Sequence, residues 1–368
     1  MERRVEMVAE KIKSFLRVAH DNLYFLVVED NVYLVSHKGS VDNRNVLIYN
    51  IGNNIVWNDS REWYSIDRKR FNKAIRHLKQ VETITINNGE LSIKDMKGKE
   101  VRIKLDITYK TFNPERFNTI IETIQNNIDE KTLEVPCDVF VNAVKYIVPF
   151  LAKDERTREE DKLRSIIHVD INDDTITIVG GDGYRLSIYE VNHINKITGK
   201  FNFPHIHFPI KPQIYELLNN GDRLKLITIE DVSFDDIRVN RSYTLSCIAS
   251  SDVFIVSLNS SKPTYTNYKN IKNSVLANEI CEFDINLAET RNILKTALEL
   301  SKEDPFKLND VVSLQYHDQY LYITFKVYIG NDEIEGSEYF DINNVSGDIE
   351  YLGVEPLDIN PKFLLSFI

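Results

Sequence analysis

From Arg68 to Lys79 the chain carries Arg68, Lys69, Arg70, Lys73, Arg76 and Lys79, with His77 among them and no acid. Phe71, Ala74, Ile75 and Leu78 interleave with them at i, i+3, i+4 and i+7, so a helix capped by Asp67 would have one apolar stripe and an almost uniformly cationic remainder. The chemistry open to such a face is phosphate neutralisation: ammonium and guanidinium groups at helical spacing meet a polyanion at many weak points and read no bases. The first residues follow the same plan, with Arg4, Lys11, Lys13 and Arg17 around an apolar face of Val5, Val8, Ile12, Phe15 and Ala19. Lys145, Lys153, Arg156, Lys211, Arg291 and Lys295 place cations on or beside later helices. A single charged helix face is ordinarily only solvated. Repetition on several helices, led by two strongly basic ones, points instead to a helix-lined positive surface.

Other constellations carry less. His205 and His207 alternate around Ile206 beside Pro204; an i, i+2 pair can hold a metal, but here it reads as a surface strand. Asp173-Asp174 and Asp235-Asp236 fall in predicted turns, where solvated carboxylates are ordinary. A hydrolase or nuclease using those acids with a divalent ion is the minor reading. Cys137, Cys247 and Cys281 are far apart, odd in number and outside any CxxC pattern, which argues for buried thiols and against a disulfide framework or a zinc site. The glycines of Val179-Gly-Gly-Asp-Gly-Tyr184 read as a hairpin turn, since no helix follows on which phosphates could sit. No catalytic constellation emerges, and no cofactor or metal is called for.

The elements that must position the cations repeat. A short apolar strand, a capping residue and an amphipathic helix recur as WYSIDRKRFNKAIRHL from Trp63, LEVPCDVFVNAVKYIV from Leu133, HFPIKPQIYELL from His207, EFDINLAETRNILKTAL from Glu282 and PLDINPKFLLSFI from Pro356. The strand ends at Ile66, Cys137, Ile210, Ile285 and Ile359 lie roughly 70 residues apart, the mark of one structural unit built several times. The N-terminal helix counts as the first of six. Between helices, alternating or β-branched runs such as Thr83–Ile86, Leu91–Ile93, Val101–Leu105, Ile167–Ile171, Thr175–Val179, Leu224–Ile229 and Tyr320–Val327 predict antiparallel hairpins, turned at Asn87-Asn88-Gly89 and Asn172-Asp173-Asp174. Asn286 with Glu289, and Asn360 with Pro361, read as helix starts. The fold class is α+β.

At 368 residues, 42% hydrophobic and 27% charged, the composition is that of ordinary globular domains, and pairing the six repeats gives three. No apolar run approaches a membrane span of about 18 residues, and the N-terminus lacks the apolar core of a signal peptide. A cytoplasmic location is expected. The net charge of -11 speaks against a polyanionic partner only if charge is evenly spread; the acids gather in strands and loops such as Glu230-Asp231, away from the basic helices.

This plan resembles the β subunit of bacterial DNA polymerase III, the replication sliding clamp family. Val179-Gly-Gly-Asp-Gly-Tyr-Arg-Leu-Ser-Ile188 is similar to that family's A-T-D-G-(H/Y)-R-L motif, and Ala152-Lys-Asp-Glu-Arg156 to its A-x-D-E-x-R segment. Tyr265-Thr-Asn-Tyr-Lys-Asn-Ile271 resembles F-P-(D/N)-Y-x-x-(V/I), with Thr266 where proline is usual and Asn270 where arginine is frequent. Ile359-Asn-Pro-Lys-Phe-Leu-Leu365 resembles the F-N-x-x-Y-L-L helix. These landmarks run in order over 60–368; the first 60 residues match in pattern alone.

The resemblance implies three consecutive clamp domains, 1–130, 131–270 and 271–368, the last stopping inside its sixth repeat. Each holds two helix-plus-antiparallel-sheet repeats. It implies a head-to-tail homodimeric ring around double-stranded DNA, held without sequence preference by the cations named above. It makes the protein a non-catalytic processivity factor in DNA replication. DNA polymerase and clamp loader would dock through short linear motifs into a pocket formed by Leu163, Gly181, Gly183, Tyr184, Arg185 and Leu186 with Thr266, Asn270, Ile271, Leu294, Asn360 and Phe363. A clamp-fold regulatory module that binds partners without encircling DNA is the alternative.

Overall fold

The computed structural model describes residues 2–20, 22–37, 45–52, 55–76, 81–107, 113–128, 132–151, 166–181, 186–204, 217–218, 223–234, 242–259, 262–263, 267–277, 281–301, 312–317, 320–329, 332–347 and 357–359. The chain forms two compact units, Met1–Thr266 and Asn267–Ile368. The expected boundary at 130/131 lies outside the described residues, and that at 270/271 falls within a helix.

In the first unit, α1 (Glu2–Val18) leads into β1 (Asn22–Val28), β2 (Asn31–His37), β3 (Asn45–Gly52), β4 (Val56–Asn58) and β5 (Trp63–Asp67). Then come α2 (Arg68–Arg76), β6 (Val81–Asn87), β7 (Glu90–Asp95), β8 (Glu100–Lys104) and α3 (Pro114–Asn127). The series restarts with β9 (Thr132–Pro136), α4 (Cys137–Ile147), β10 (Ile166–Ile171), β11 (Thr175–Gly181), β12 (Leu186–Asn192) and β13 (Gly199–Pro204), and ends with β14 (Arg223–Ser233), β15 (Ser242–Ala249) and β16 (Val253–Asn259). The second unit holds α5 (Tyr268–Ala277), β17 (Cys281–Asp284), α6 (Leu287–Ser301), β18 (Val312–His317), β19 (Tyr320–Ile329), β20 (Asp332–Asp341), β21 (Asn343–Gly347) and β22 (Leu357–Ile359).

The organising element is an eight-stranded sheet in the order β5-β1-β2-β3-β16-β15-β14-β9. Its middle seam joins distant parts of the sequence: β3 pairs antiparallel with β16, Val46 opposite Val256 and Ile48 opposite Phe254. Alternation sends Leu23, Phe25, Leu34, Leu47, Ile255, Ile248 and Leu226 to one face, where they share a core with α1, α2 and α4. Tyr24, Leu26, Tyr33, Val35, Ile48, Val256 and Leu245 point to the other, where Phe117, Ile120, Ile121 and Ile124 of α3 cover them. Two four-stranded sheets, β4-β6-β7-β8 and β12-β11-β10-β13, complete the unit. All pairings among described strands are antiparallel except the short β4–β6 contact. In the second unit, β20-β19-β18-β22 packs one face on α6, and β17 pairs with β21.

Turn chemistry explains the hairpins. Asn88 and Gly89, at φ 51° and 73°, make the two-residue β6–β7 turn, whose positive φ at both positions matches strand twist. Glu29 and Asp30, at φ 46° and 61°, do the same between β1 and β2 without a glycine. The predicted helices at Arg68, Cys137 and Leu287 and all seven predicted strand runs are present. Of the helix expected after Ile210, Leu217 and Leu218 are described; they are helical and buried. The helix expected after Ile359, with Asn360 and Pro361, and the His205/His207 and Asp235-Asp236 pairs lie outside the described residues. Two helices stand outside the repeat, α3 and α5.

Candidate nucleic-acid interface

α2 is fixed at both ends of its first turn. Asp67 Oδ1 accepts the Arg70 N–H at 2.7 Å, the expected cap. Arg68 Nε donates to the Leu16 carbonyl at 2.9 Å, so this cation satisfies an acceptor at the C-terminal end of α1 and ties the two basic helices together. The strand feeding α2 is held as well: Ser65 and Asp106 exchange backbone hydrogen bonds at 2.9 and 3.0 Å. Asp59 accepts from the Tyr64 hydroxyl at 2.7 Å and the Gly89 N–H at 2.9 Å, linking the β4–β5 loop to the β6–β7 turn. The Tyr64 hydrogen bond, more than burial opposes it, holds the Asp59 carboxyl below its ordinary range.

With Phe71, Ala74 and Ile75 buried, Lys69, Arg70, Lys73 and Arg76 are left exposed on the opposite face. No ion pair to these four occurs among the described residues. Lys79 lies outside them.

On α1 the cations divide. Arg17 is exposed at the last turn. Lys13 pairs with Glu10 at 2.7 Å. Lys11 is bound to Asp252 in the β15–β16 turn, both side chains about four-fifths buried, and the Asp252 carbonyl also accepts the Asn50 N–H at 2.7 Å. Lys11 therefore fastens α1 across the β3–β16 seam. Burial, and then the Asp252 carboxylate, raises the neighbouring Tyr49 hydroxyl far above the usual phenol value. Arg4 lies on the helix backbone.

α4 contributes Lys145, exposed beside Tyr146. Tyr146 meets Tyr189 of β12 with ring centroids 6.3 Å apart. Because α1, α2 and α4 share one core against one face of the eight-stranded sheet, their exposed cations lie on that side of the first unit. Arg291 and Lys295 are exposed on α6 of the second unit. Lys153, Arg156 and Lys211 lie outside the described residues.

The residues expected to bind peptides are described only in part. Gly181 and Leu186 face each other where β11 meets β12, the strands flanking the predicted turn. A Cβ on Gly180 would stand 2.3 Å from the Ile147 side chain and 2.8 Å from that of Leu151, so the first glycine of the motif is required by the close approach of α4. Asn270 and Ile271 are exposed on α5, and Leu294 is buried in the core of the second unit. Leu163, Gly183, Tyr184, Arg185, Thr266, Asn360 and Phe363 lie outside the described residues.

Two features escaped sequence reasoning. One is the Lys11–Asp252 pair, which no spacing rule could reveal across 241 positions. The other is α3, which buries Arg116 with its guanidinium 4.4 Å from the Phe234 ring centroid and 5.4 Å from that of Tyr243. Its signal was available: Asn113 caps, Pro114 opens the first turn, and Phe117, Ile120, Ile121 and Ile124 are helically spaced. Cys137 and Cys247 are buried thiols outside any disulfide, and burial pushes both up. No described helix is long and apolar enough to cross a membrane.

No protein-family model matches the chain, and no curated protein matches it. Solved structures do. The β subunit of DNA polymerase III from Thermotoga maritima aligns over 98% of this chain and 87% of its own, with TM-score 0.64 and 14% identity. The DNA polymerase β subunit of Streptococcus pyogenes gives 0.62 and 13% over the same shares. The DNA polymerase sliding clamp from Pseudomonas aeruginosa gives 0.60 and 12%, again over 98% and 87%. At such identities the likeness establishes the fold.

Proposed function

We propose, from a chain with the sliding-clamp fold, that the protein is a DNA sliding clamp. In this reading two copies close head to tail around duplex DNA as a non-catalytic processivity factor, three domains per chain. The observation that carries the reading is the α2 face of Lys69, Arg70, Lys73 and Arg76, exposed on the side of the sheet that α1 and α4 share. Cations without base-reading partners suit a ligand that must slide, because weak phosphate contacts exchange as the duplex moves.

The β3–β16 seam supports the head-to-tail arrangement. There the third strand of one repeat pairs with the last strand of another. β20 and β8 hold those same places in their own repeats, and each is an edge strand of its sheet. β8 carries Lys104 and an Arg102 paired to Glu100, and β20 carries Glu338 and Asp341 with a Glu335 paired to Lys326, so Lys104 facing the two remaining acids is the charge match between the edges. A pocket at Gly181, Leu186, Asn270 and Ile271, with the other residues of the expected set, would take short motifs of a polymerase and a loader in the cytoplasm.

The test is topological. Loaded protein should stay on nicked circular DNA and run off once the circle is linearised with free ends. Equal retention on both forms would sink the encircling mechanism and favour the non-encircling regulatory module.

A further inference from the structure

We infer that the solvent face of the second unit's four-stranded sheet is a docking surface for an arginine-bearing segment of a protein partner. One face of this sheet is committed to the core, where Leu314, Leu321, Ile323, Phe325 and Phe340 meet Ile293, Leu294 and Ala297 of α6. The register places a different set on the other face. Tyr322 stands opposite Tyr339 on one side and Gln315 on the other, while Tyr320 stands opposite Asp341 and His317.

The rings touch: Tyr320–Tyr339 centroids are 5.3 Å apart and edge-on, Tyr322–Tyr339 6.1 Å, and His317–Tyr322 6.5 Å. Tyr339 is 64% exposed. Contiguous aromatic surface of this kind marks an interaction site, and tyrosine is enriched where partners meet because its ring is apolar and its tip tolerates water.

The first unit shows what a permanently covered sheet face looks like. There α3 lies over Leu26, Val35, Ile48, Val256 and Leu245 together with Tyr24 and Tyr33, all of them buried. Here Tyr320 and Tyr322 are half-buried, and Gln315, Ser337 and Tyr339 are exposed. Such a face stays soluble when bare and gains contact when covered, which suits a reversible partner.

Charge selects the occupant. Asp341 adjoins Tyr320, and Glu335 lies further along the same strand with Lys326 paired to it at 3.6 Å. Tyrosine π faces beside a carboxylate are the surroundings a guanidinium favours, since it stacks in its plane and donates a forked pair of hydrogen bonds. An aromatic four-stranded sheet can also stack single-stranded bases, but the Asp341 carboxylate beside Tyr320 repels phosphates.

The full chain carrying ring-labelled tyrosine should be titrated with hexa-arginine, hexa-lysine and oligothymidylate while the tyrosine NMR signals are followed. Hexa-arginine is expected to move the Tyr320, Tyr322 and Tyr339 signals saturably, roughly tenfold tighter than hexa-lysine. Asp341→Asn and Tyr339→Leu should each weaken that binding at least about fivefold, with the circular dichroism spectrum unchanged. Preferential response to oligothymidylate would overturn the proposal in favour of a nucleic acid. Because Tyr339 and Asp341 lie on β20, whose edge is proposed above to meet β8, the titration is run on the assembled particle; rings that fail to respond to hexa-arginine there would overturn the proposal in favour of a second copy of the chain. Equal affinity for both peptides, untouched by Asp341→Asn, would reduce the effect to general charge and likewise overturn it. The surface does not require DNA encirclement, and since Asp341 is also an acid of the β20 edge, the particle mass of Asp341→Asn separates loss of peptide binding from loss of assembly.

Discussion

Lys11 and Lys73 are both cations of amphipathic helices, yet their surroundings give them different roles. Lys11 is held by Asp252 and Lys73 projects to solvent. Replacing Lys69, Arg70, Lys73 and Arg76 together by glutamine should weaken DNA binding and flatten its salt dependence, by up to about 0.9 in log–log slope for each phosphate no longer neutralised. The unfolding midpoint should hold, because none of the four is buried. Arg68 is left out of that variant because it caps α1. Lys11→Met should do the reverse, lowering stability by about 1 kcal/mol or more through the partly desolvated Asp252 left behind while the salt slope stays put. Asp59 adds a pH signature. Its folded pKa is lowered, so its contribution is complete above the ordinary aspartate value near about 4 and is lost as pH falls through the folded value. Thermal unfolding of Asp59→Asn should therefore show a deficit at neutral pH that closes in strong acid; a deficit of constant size would contradict the linkage.

At the scale of elements, α3 is the piece whose removal should be felt furthest, because it contacts both β1 and β14 on the face of the large sheet opposite α1, α2 and α4. Phe117→Ala should cost about 3–5 kcal/mol, and hydrogen exchange should speed up in both strands; Glu122→Ala on the exposed face should stay within about 0.5 kcal/mol. The helices at Arg68, Cys137 and Leu287 and the hairpins are legible in the sequence because each is a local pattern: period 3.6 after a cap, period 2 between turns. The Asn88-Gly89 turn, the Asp67 cap and the Asn286 cap, whose Oδ1 accepts from Ala288 and Glu289 at 3.1 and 3.3 Å, all appear where spacing put them. α3 interrupts the repeat, and a fixed period treats whatever lies between copies as connection. The seam, the Lys11 pair and the packing role of Gly180 were not legible, since each depends on residues brought together from far along the chain. For the candidate site, residue types were readable on α2, but which cations are engaged within the molecule was not.

For the whole molecule, the proposed ring predicts a particle of twice the chain mass, and Lys104→Glu on the β8 edge should shift it toward single chains by opposing the acids of β20; sedimentation at several concentrations reads this directly. The β3–β16 seam has a mechanical corollary. A closed ring can be threaded onto a circular duplex only if it opens somewhere, and every joint in it is a candidate gate. Opening at this seam would expose a ladder of five residue pairs, Val253–Tyr49 through Ser257–Asn45, and uncover apolar surface on both faces of the sheet at once. The two repeats nearest the seam are thus built to behave as one stiff lever, and in the proposed ring a force applied to either would pass through them to another joint.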